Sequence, residues 1–296
     1  MNNELKRLDI DPADVEIINP RTSSRVPDYV KDLCEARSRK GMIESEAFRW
    51  MRRRAYYGAM MVKRGDADGM VAGLTRNYSE TLRPALQIVG LQPNRTVAAG
   101  VYMLVLKQKV LFFADTTVNI EPNAETVAEI ALLASDAAKH FGIDSPRIAL
   151  LSFSNFGSVD NMYSHKVQEA ANIVRELRPD FIIDGEMQFD AATDPDVAAD
   201  FPFSRIQGDA NVLVFPNLSA GNIGYQIMHR FADAESIGPI LLGLNKPINI
   251  LQRDASVDDI FRIAALTCVQ TQLLHEGESV GSVPHGIRRA GISGGI

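Results

Sequence analysis

The chain has 296 residues, of which 46% are apolar and 23% charged. That is the composition of a folded globular protein, and it excludes wholesale disorder, a collagen-like repeat and a disulfide scaffold. The formal net charge of −6 is not that of a general nucleic-acid binder.

Two isolated cysteines, Cys34 and Cys268, show no metal-ligand spacing and fit a reducing compartment. The five histidines are scattered with no HExxH-type pair, so the sequence predicts no metal site. The polar N-terminus, MNNELKRLDIDP, lacks an apolar signal core. No apolar run approaches the roughly 18 residues of a membrane span. These features together predict a cytoplasmic protein.

In chain order, the pattern predicts a strand over Val15 to Ile18 and helices over Pro27 to Cys34 and Glu44 to Lys63. A glycine-edged strand follows at Asp68 to Gly73, then a helix over Thr81 to Val89. Thr96 to Val105 and Val110 to Asp115 flank a polar Lys107-Gln108-Lys109 turn and read as a hairpin. Pro122 and Gly142 bracket a helix over Asn123 to Phe141. Strands at Arg147 to Phe153 and Phe181 to Asp184 alternate with helices at Val159 to Leu177 and Asp190 to Ala199. Then come a strand at Asn211 to Phe215, a helix at Gly221 to Phe231, a strand at Ile237 to Leu242 and a helix at Ser256 to Leu274. Strands alternating with helices predict an α/β protein with a largely parallel, covered sheet. The Gly-rich segment from Glu276 to Ile296 carries no periodic apolar face and reads as a flexible tail.

Ligands of open α/β sheets bind beyond the carboxyl ends of strands. Four post-strand loops therefore matter, and each has a bland reading beside the functional one. The segment from Gly65 to Pro84 offers Gly73, a helix start and Arg83 as an anion site, or a glycine turn with a solvated arginine. Leu151 to Ser158 places Ser154 for hydrogen bonding, or uses Ser158 as a helix cap. Phe215 to Tyr225 presents Asn217 and Asn222 to a carbonyl or amide, or forms a capped turn. Gly243 to Asp259 combines Arg253 with two carboxylates, as a phosphate clamp with a base, or as capping by Ser256 with acids that complement the helix dipole.

The ordered set GDADGMVAG, TLRPALQIVG, LSFSNFGS, FPNLSAGNIGY, IGPILLGLNKP and ASVDDI resembles the phosphate acetyltransferase family, from about Ile17 to about Gln272. The resemblance implies a two-lobed α/β/α sandwich, similar to isocitrate and isopropylmalate dehydrogenases, with a cleft between lobes. It implies lobes at 1–92 plus 246–296 and at 93–245, the second inserted and dimer-forming, with the first βα units of the first lobe missing ahead of Met1. It also implies transfer of an acetyl group between acetyl phosphate and coenzyme A with no metal and no covalent cofactor. By that resemblance Arg37, Arg83 and Arg253 match family arginines, and Asp259 matches the family aspartate. Ser154, Asn217 and Asn222 are the further expected ligand contacts.

The match breaks on the loop that reads Asn249-Ile250-Leu251-Gln252-Arg253-Asp254. Gln252 stands at the family's serine and Asp254 at a glycine. Arg76-Asn77-Tyr78, Ile250-Leu251-Gln252 and Ala255-Ser256-Val257 resemble the C-terminal domain of hybrid NADP-dependent malic enzymes. That narrower resemblance implies an oligomeric, allosteric acetyl-CoA-binding domain with weak or no transfer of its own, joined to an upstream malic enzyme region. The alternative is an active phosphate acetyltransferase using Gln252 in place of serine.

Overall fold

A computed structural model describes residues 5, 7–107, 109–232 and 234–275. The chain divides into two compact units, Met1–Ala67 and Asp68–Ile296. The tail expected at 276–296 lies outside the described residues.

The first unit is helical. Its helices are α1 (Val26–Arg37), α2 (Glu44–Met51) and α3 (Arg54–Arg64). Tyr29, Leu33, Met51 and Met60 are buried, and the Tyr29 and Tyr57 rings meet at 5.1 Å. The single helix expected over Glu44 to Lys63 is broken, with Arg53 in extended backbone. The break falls in the Arg52-Arg53-Arg54 run, where like charges crowd and no side chain is buried. The strand expected over Val15 to Ile18 is irregular backbone: Val15 and Ile17 are exposed, and no ladder partner is present among the described residues.

The second unit carries two sheets. Strands β1 (Met70–Gly73) and β8 (Ile248–Leu251) form a parallel pair. The six-stranded sheet runs in the order β5-β4-β6-β3-β2-β7. Its members are β2 (Ala99–Val105), β3 (Val110–Ala114), β4 (Arg147–Leu151), β5 (Ile182–Met187), β6 (Val212–Val214) and β7 (Glu235–Leu242). The pairs β4–β5, β4–β6 and β3–β6 are parallel, while β2–β3, the expected hairpin, and β2–β7 are antiparallel. The α/β class with mostly parallel sheets is therefore as expected.

The central strands are apolar on both sides because both sides are covered. Phe112, Ile148, Leu150, Val212 and Val214 pack with α5 (Ala124–His140) and α6 (Met162–Leu177). The alternate residues Leu111, Phe113, Ala149 and Leu213 face α7 (Phe189–Thr193) and α9 (Leu218–Phe231). Burying one such side chain contributes about 1.5–3 kcal/mol, so this sheet is the main source of the unit's stability. The helix expected over Asp190 to Ala199 splits into α7 and α8 (Pro195–Ala198). Pro195 cannot continue the ladder, and extended Asp194 caps α8 through Asp196 N at 2.9 Å.

Strand β8 was expected as loop. Four residues are too few for a periodic signal, and Asn249 interrupts the apolar run. Its side chain accepts from Leu241 N at 2.9 Å and donates to Thr267 and Gln270, so a buried amide ties β8 to β7 and to α10 (Val257–His275). The remaining helix, α4 (Tyr78–Pro84), runs into a wider turn over Ala85–Val89.

Candidate functional site

The carboxyl ends of β1, β3 and β8 and the first turns of α9 supply one polar cluster. All of it lies in the Asp68–Ile296 unit.

The loop after β3 is the scaffold. Asp115 is 3% exposed, and its carboxylate accepts from Gly100 N, Thr117 N and Val118 N at 2.9–3.1 Å. It also accepts from Asn119 N at 2.7 Å and from the Asn119 amide at 2.5 Å. Five N–H groups on one buried carboxylate satisfy it completely and hold the turn in one shape. Thr116 donates through its backbone and its hydroxyl to Gly100 O, both at 2.9 Å. Glycine is required at 100, because a Cβ there would lie 1.8 Å from Thr117 Oγ1.

Three tyrosines line the cluster. The Tyr78 hydroxyl meets Thr117 Oγ1 at 3.2 Å. Tyr102 stacks on Tyr225 with ring centroids 4.0 Å apart. Its hydroxyl lies beside Tyr225 and the Gln252 side chain. Burial pushes the Tyr78 and Tyr102 phenols up from their ordinary value, so both remain protonated donors at neutral pH. Neighbouring Tyr225 raises Tyr102 further, and the Gln252 side chain partly offsets this.

The loop after β8 stays nearer the surface. Arg253 is exposed, and its guanidinium donates to Asn77 Oδ1. Asn77 in turn precedes α4, which carries exposed Arg83. Gly73 turns the chain out of β1 at φ +120°, where a Cβ would lie 2.3 Å from Leu251 O. Bare backbone there lets the β1 and β8 exits run side by side. Asn222 reaches the cluster from α9 and donates to Thr116 O at 3.2 Å.

Of the residues singled out in the sequence, Asn222 meets the turn after β3, Arg253 meets Asn77 and Gln252 lies beside Tyr102. Others are engaged elsewhere. The Asp259 carboxylate accepts from Ser256 N at 2.8 Å and Ser256 Oγ at 2.7 Å, and Ser256 Oγ accepts from Asp259 N at 3.1 Å. That reciprocal box caps α10 and holds a negative charge at its N-terminus. Asn217 caps α9, accepting from Ala220 N at 3.0 Å. Ser154 is fully buried and donates to Glu186 at 3.0 Å. Ser158 is not the cap of α6; Asn161 is, accepting from Tyr163 N at 3.0 Å. Arg37 belongs to the Met1–Ala67 unit, where its guanidinium sits 5.5 Å from the Trp50 ring centre.

Sequence reasoning missed Tyr78, Tyr102 and the Asp115-Thr116-Thr117 turn. The usable signal was an acid and two hydroxyls immediately after the apolar run Val110 to Ala114. Tyr102 gave none, because an aromatic in a strand reads as core. Among the described residues, no group of three or more His, Cys, Asp or Glu gathers as a metal site. No described helix is long and apolar enough to cross a membrane.

Residues 1–268 match the phosphate acetyl/butaryl transferase family. The chain belongs to that family. It is 39% identical over 279 residues to a phosphate acetyltransferase of Clostridium acetobutylicum, covering 92% of this chain and 84% of that protein. It is 41% identical over 266 residues to one of Bacillus subtilis, covering 90% and 82%. A phosphotransacetylase structure from Streptococcus pyogenes superposes with a TM-score of 0.87 at 42% identity, covering 91% of this chain and 82% of that one. These relatives are named as phosphate acetyltransferases in their own right. Nothing in their names connects the family member described here to a malic enzyme, and that expectation has no support from them.

Proposed function

We propose that this chain catalyses reversible acetyl transfer between acetyl phosphate and coenzyme A. The observation that carries the reading is the convergence of Tyr78, Thr117, Asn222, Gln252 and Arg253 in a member of this transferase family. Arg83 and Arg253 clamp the phosphate. The Asp259 carboxylate takes the proton from the coenzyme A thiol, which is mostly protonated at neutral pH. The thiolate adds to the acetyl carbonyl. The Gln252 amide, beside Tyr102, donates to the oxyanion that forms. The intermediate collapses with cleavage of the carbon–oxygen bond, releasing inorganic phosphate and acetyl-CoA. Ser154, Asn217 and Asn222 complete the proposed ligand contacts, the first two through the loops they hold. The reaction as written needs no metal and no covalent cofactor.

The lobes at 1–92 plus 246–296 and at 93–245 belong to the same proposal. The separation of the β1–β8 pair from the six-stranded sheet supports it. Assembly as a homodimer or higher oligomer through the second lobe and a cytoplasmic location are further parts of the proposal.

One observation favours a second reading, an acetyl-CoA-binding regulatory domain with little turnover. The Arg253 guanidinium is already bonded to Asn77, and Gln252 stands where the family has serine, which leaves the reacting groups partly occupied or altered. Thioester formation from acetyl phosphate and coenzyme A separates the two. Turnover abolished by Arg253→Ala and Asp259→Asn supports the enzyme. Acetyl-CoA binding by calorimetry with no turnover supports the regulatory domain, and its fusion to a malic enzyme then becomes worth testing. Neither turnover nor binding removes both.

A further inference from the structure

We propose that Lys166 is a positioning residue of the transfer site. It fixes the start of α9 against the loop after β3, and so sets where Asn222 and Tyr225 stand. Its effect on rate rests on the acetyl transfer reading; the link it makes does not.

Lys166 lies in the second turn of α6, toward the end of the helix that favours negative charge, so α6 gains nothing from its cation. Its side chain is 15% exposed, and a cation so far removed from water needs partners. The ammonium Nζ donates to Glu121 Oε1 at 2.8 Å and to Pro216 O at 3.0 Å. Glu121 belongs to the loop after β3 and Pro216 to the loop after β6, while α6 itself follows β4. These three strands are neighbours in the sheet, in the order β4-β6-β3. One ammonium therefore joins the chain leaving three adjacent strands. Glu121 is 56% exposed, and an exposed carboxylate contributes little to such a link. The bond to the Pro216 carbonyl, next to the Asn217 cap, is the one that holds α9.

The same two loops meet again where Leu218 N donates to Ile120 O at 3.1 Å. Asn217 then accepts from Ala220 N through its side chain at 3.0 Å and from Gly221 N through its carbonyl at 3.2 Å. A Cβ at Gly221 would lie 2.2 Å from Asp115 O, so the first turn of α9 rests directly on the scaffold turn. From this seat Asn222 donates to Thr116 O at 3.2 Å and Tyr225 stacks on Tyr102. Contacts this close pass any shift of the α9 start on to both side chains. A misplacement of about 1 Å can cost about 10² in rate. Lys166 thus acts through Asn222 and Tyr225 rather than on the reacting atoms.

The test compares Lys166→Met, Lys166→Arg and Glu121→Ala in the full chain, by acetyl transfer kinetics and by amide hydrogen exchange. Lys166→Met should lower kcat about tenfold and leave KM for acetyl phosphate within about threefold, because alignment is lost while the binding groups stay. Lys166→Arg can still donate to both oxygens and should recover most of the rate. Glu121→Ala should lose less than Lys166→Met, and the two changes together should be no worse than Lys166→Met alone. In Lys166→Met the amides of Leu218, Ala220 and Gly221 should exchange about tenfold faster, with those of β4 and β6 unchanged. Thermal melts show whether each variant is folded at the assay temperature; if Lys166→Met is not, Lys166→Gln takes its place with the same expected outcomes. A lysine that only supports the fold would lower the melting temperature without moving kcat below it, and that result overturns the positioning role. So does an arginine variant as slow as the methionine one, or unchanged exchange at the start of α9. If the unaltered chain shows no turnover, the acetyl transfer reading fails by itself, and exchange still decides whether Lys166 holds α9.

Discussion

The loop after β3 and the loop after β8 each begin where a strand ends, yet they use their polar groups in opposite ways. In the first, Asp115 is buried, and its carboxylate accepts from four N–H groups of its own turn and from Gly100 N on the adjoining β2. In the second, Arg253 is exposed and Gln252 half-buried, and their contacts reach across to Asn77 and Tyr102 on other elements. A polar residue whose partners are local builds a scaffold. One whose partners are distant, and which keeps solvent access, is free to exchange a partner for a ligand.

Breaking the scaffold should have the largest effect. Asp115→Ala would strand several buried N–H groups at once and should cost about 3–5 kcal/mol of stability. Denaturation in urea would read this as a lower midpoint with an unchanged slope. Asp115→Asn should cost less, since one carbonyl oxygen remains. A loss under about 1 kcal/mol for Asp115→Ala would mean that the turn does not depend on this acid.

Arg253→Ala should do the reverse. Its stability change should stay within about 0.5 kcal/mol, as for an exposed position. Acetyl transfer should fall by a factor of about 10² or more if the guanidinium stabilises the phosphate in the transition state. Equal damage to stability and rate would erase the contrast between the two loops.

Gln252→Ser combined with Asp254→Gly sharpens the comparison from within. It removes the Gln252 amide and the acid next to Arg253 while leaving the scaffold intact. With the proposed oxyanion donor gone, turnover should fall by a factor of about 10². A rise in rate would instead show that the Gln252 amide is not the working oxyanion donor.

The smallest effect is a pH dependence. The Tyr78 and Tyr102 phenols are raised in the folded protein, so below about pH 10, their unfolded value, their contribution is fully present. As pH rises past about 10 the unfolded chain loses these protons first, and stability falls. Tyr102→Phe should make that alkaline decline shallower in thermal melts across the range. An unchanged slope would mean that the phenol ionises as freely in the folded chain.

The apolar runs at Val110 to Ala114, Arg147 to Leu151 and Val212 to Val214, and the alternating helices, made the α/β class legible in the sequence alone, because burial on both faces leaves a continuous apolar signal. Caps were partly legible, since Ser256 and its acid three residues on form a local box. The tertiary structure alone decided that β8 pairs with β1, that Asn249 serves as a buried tie, and that Tyr78, Thr117, Tyr102 and Gln252 meet. Local patterns record which side of an element is buried. They do not record which distant partner a single polar atom finds, because that is set by how strands more than a hundred residues apart are brought into register.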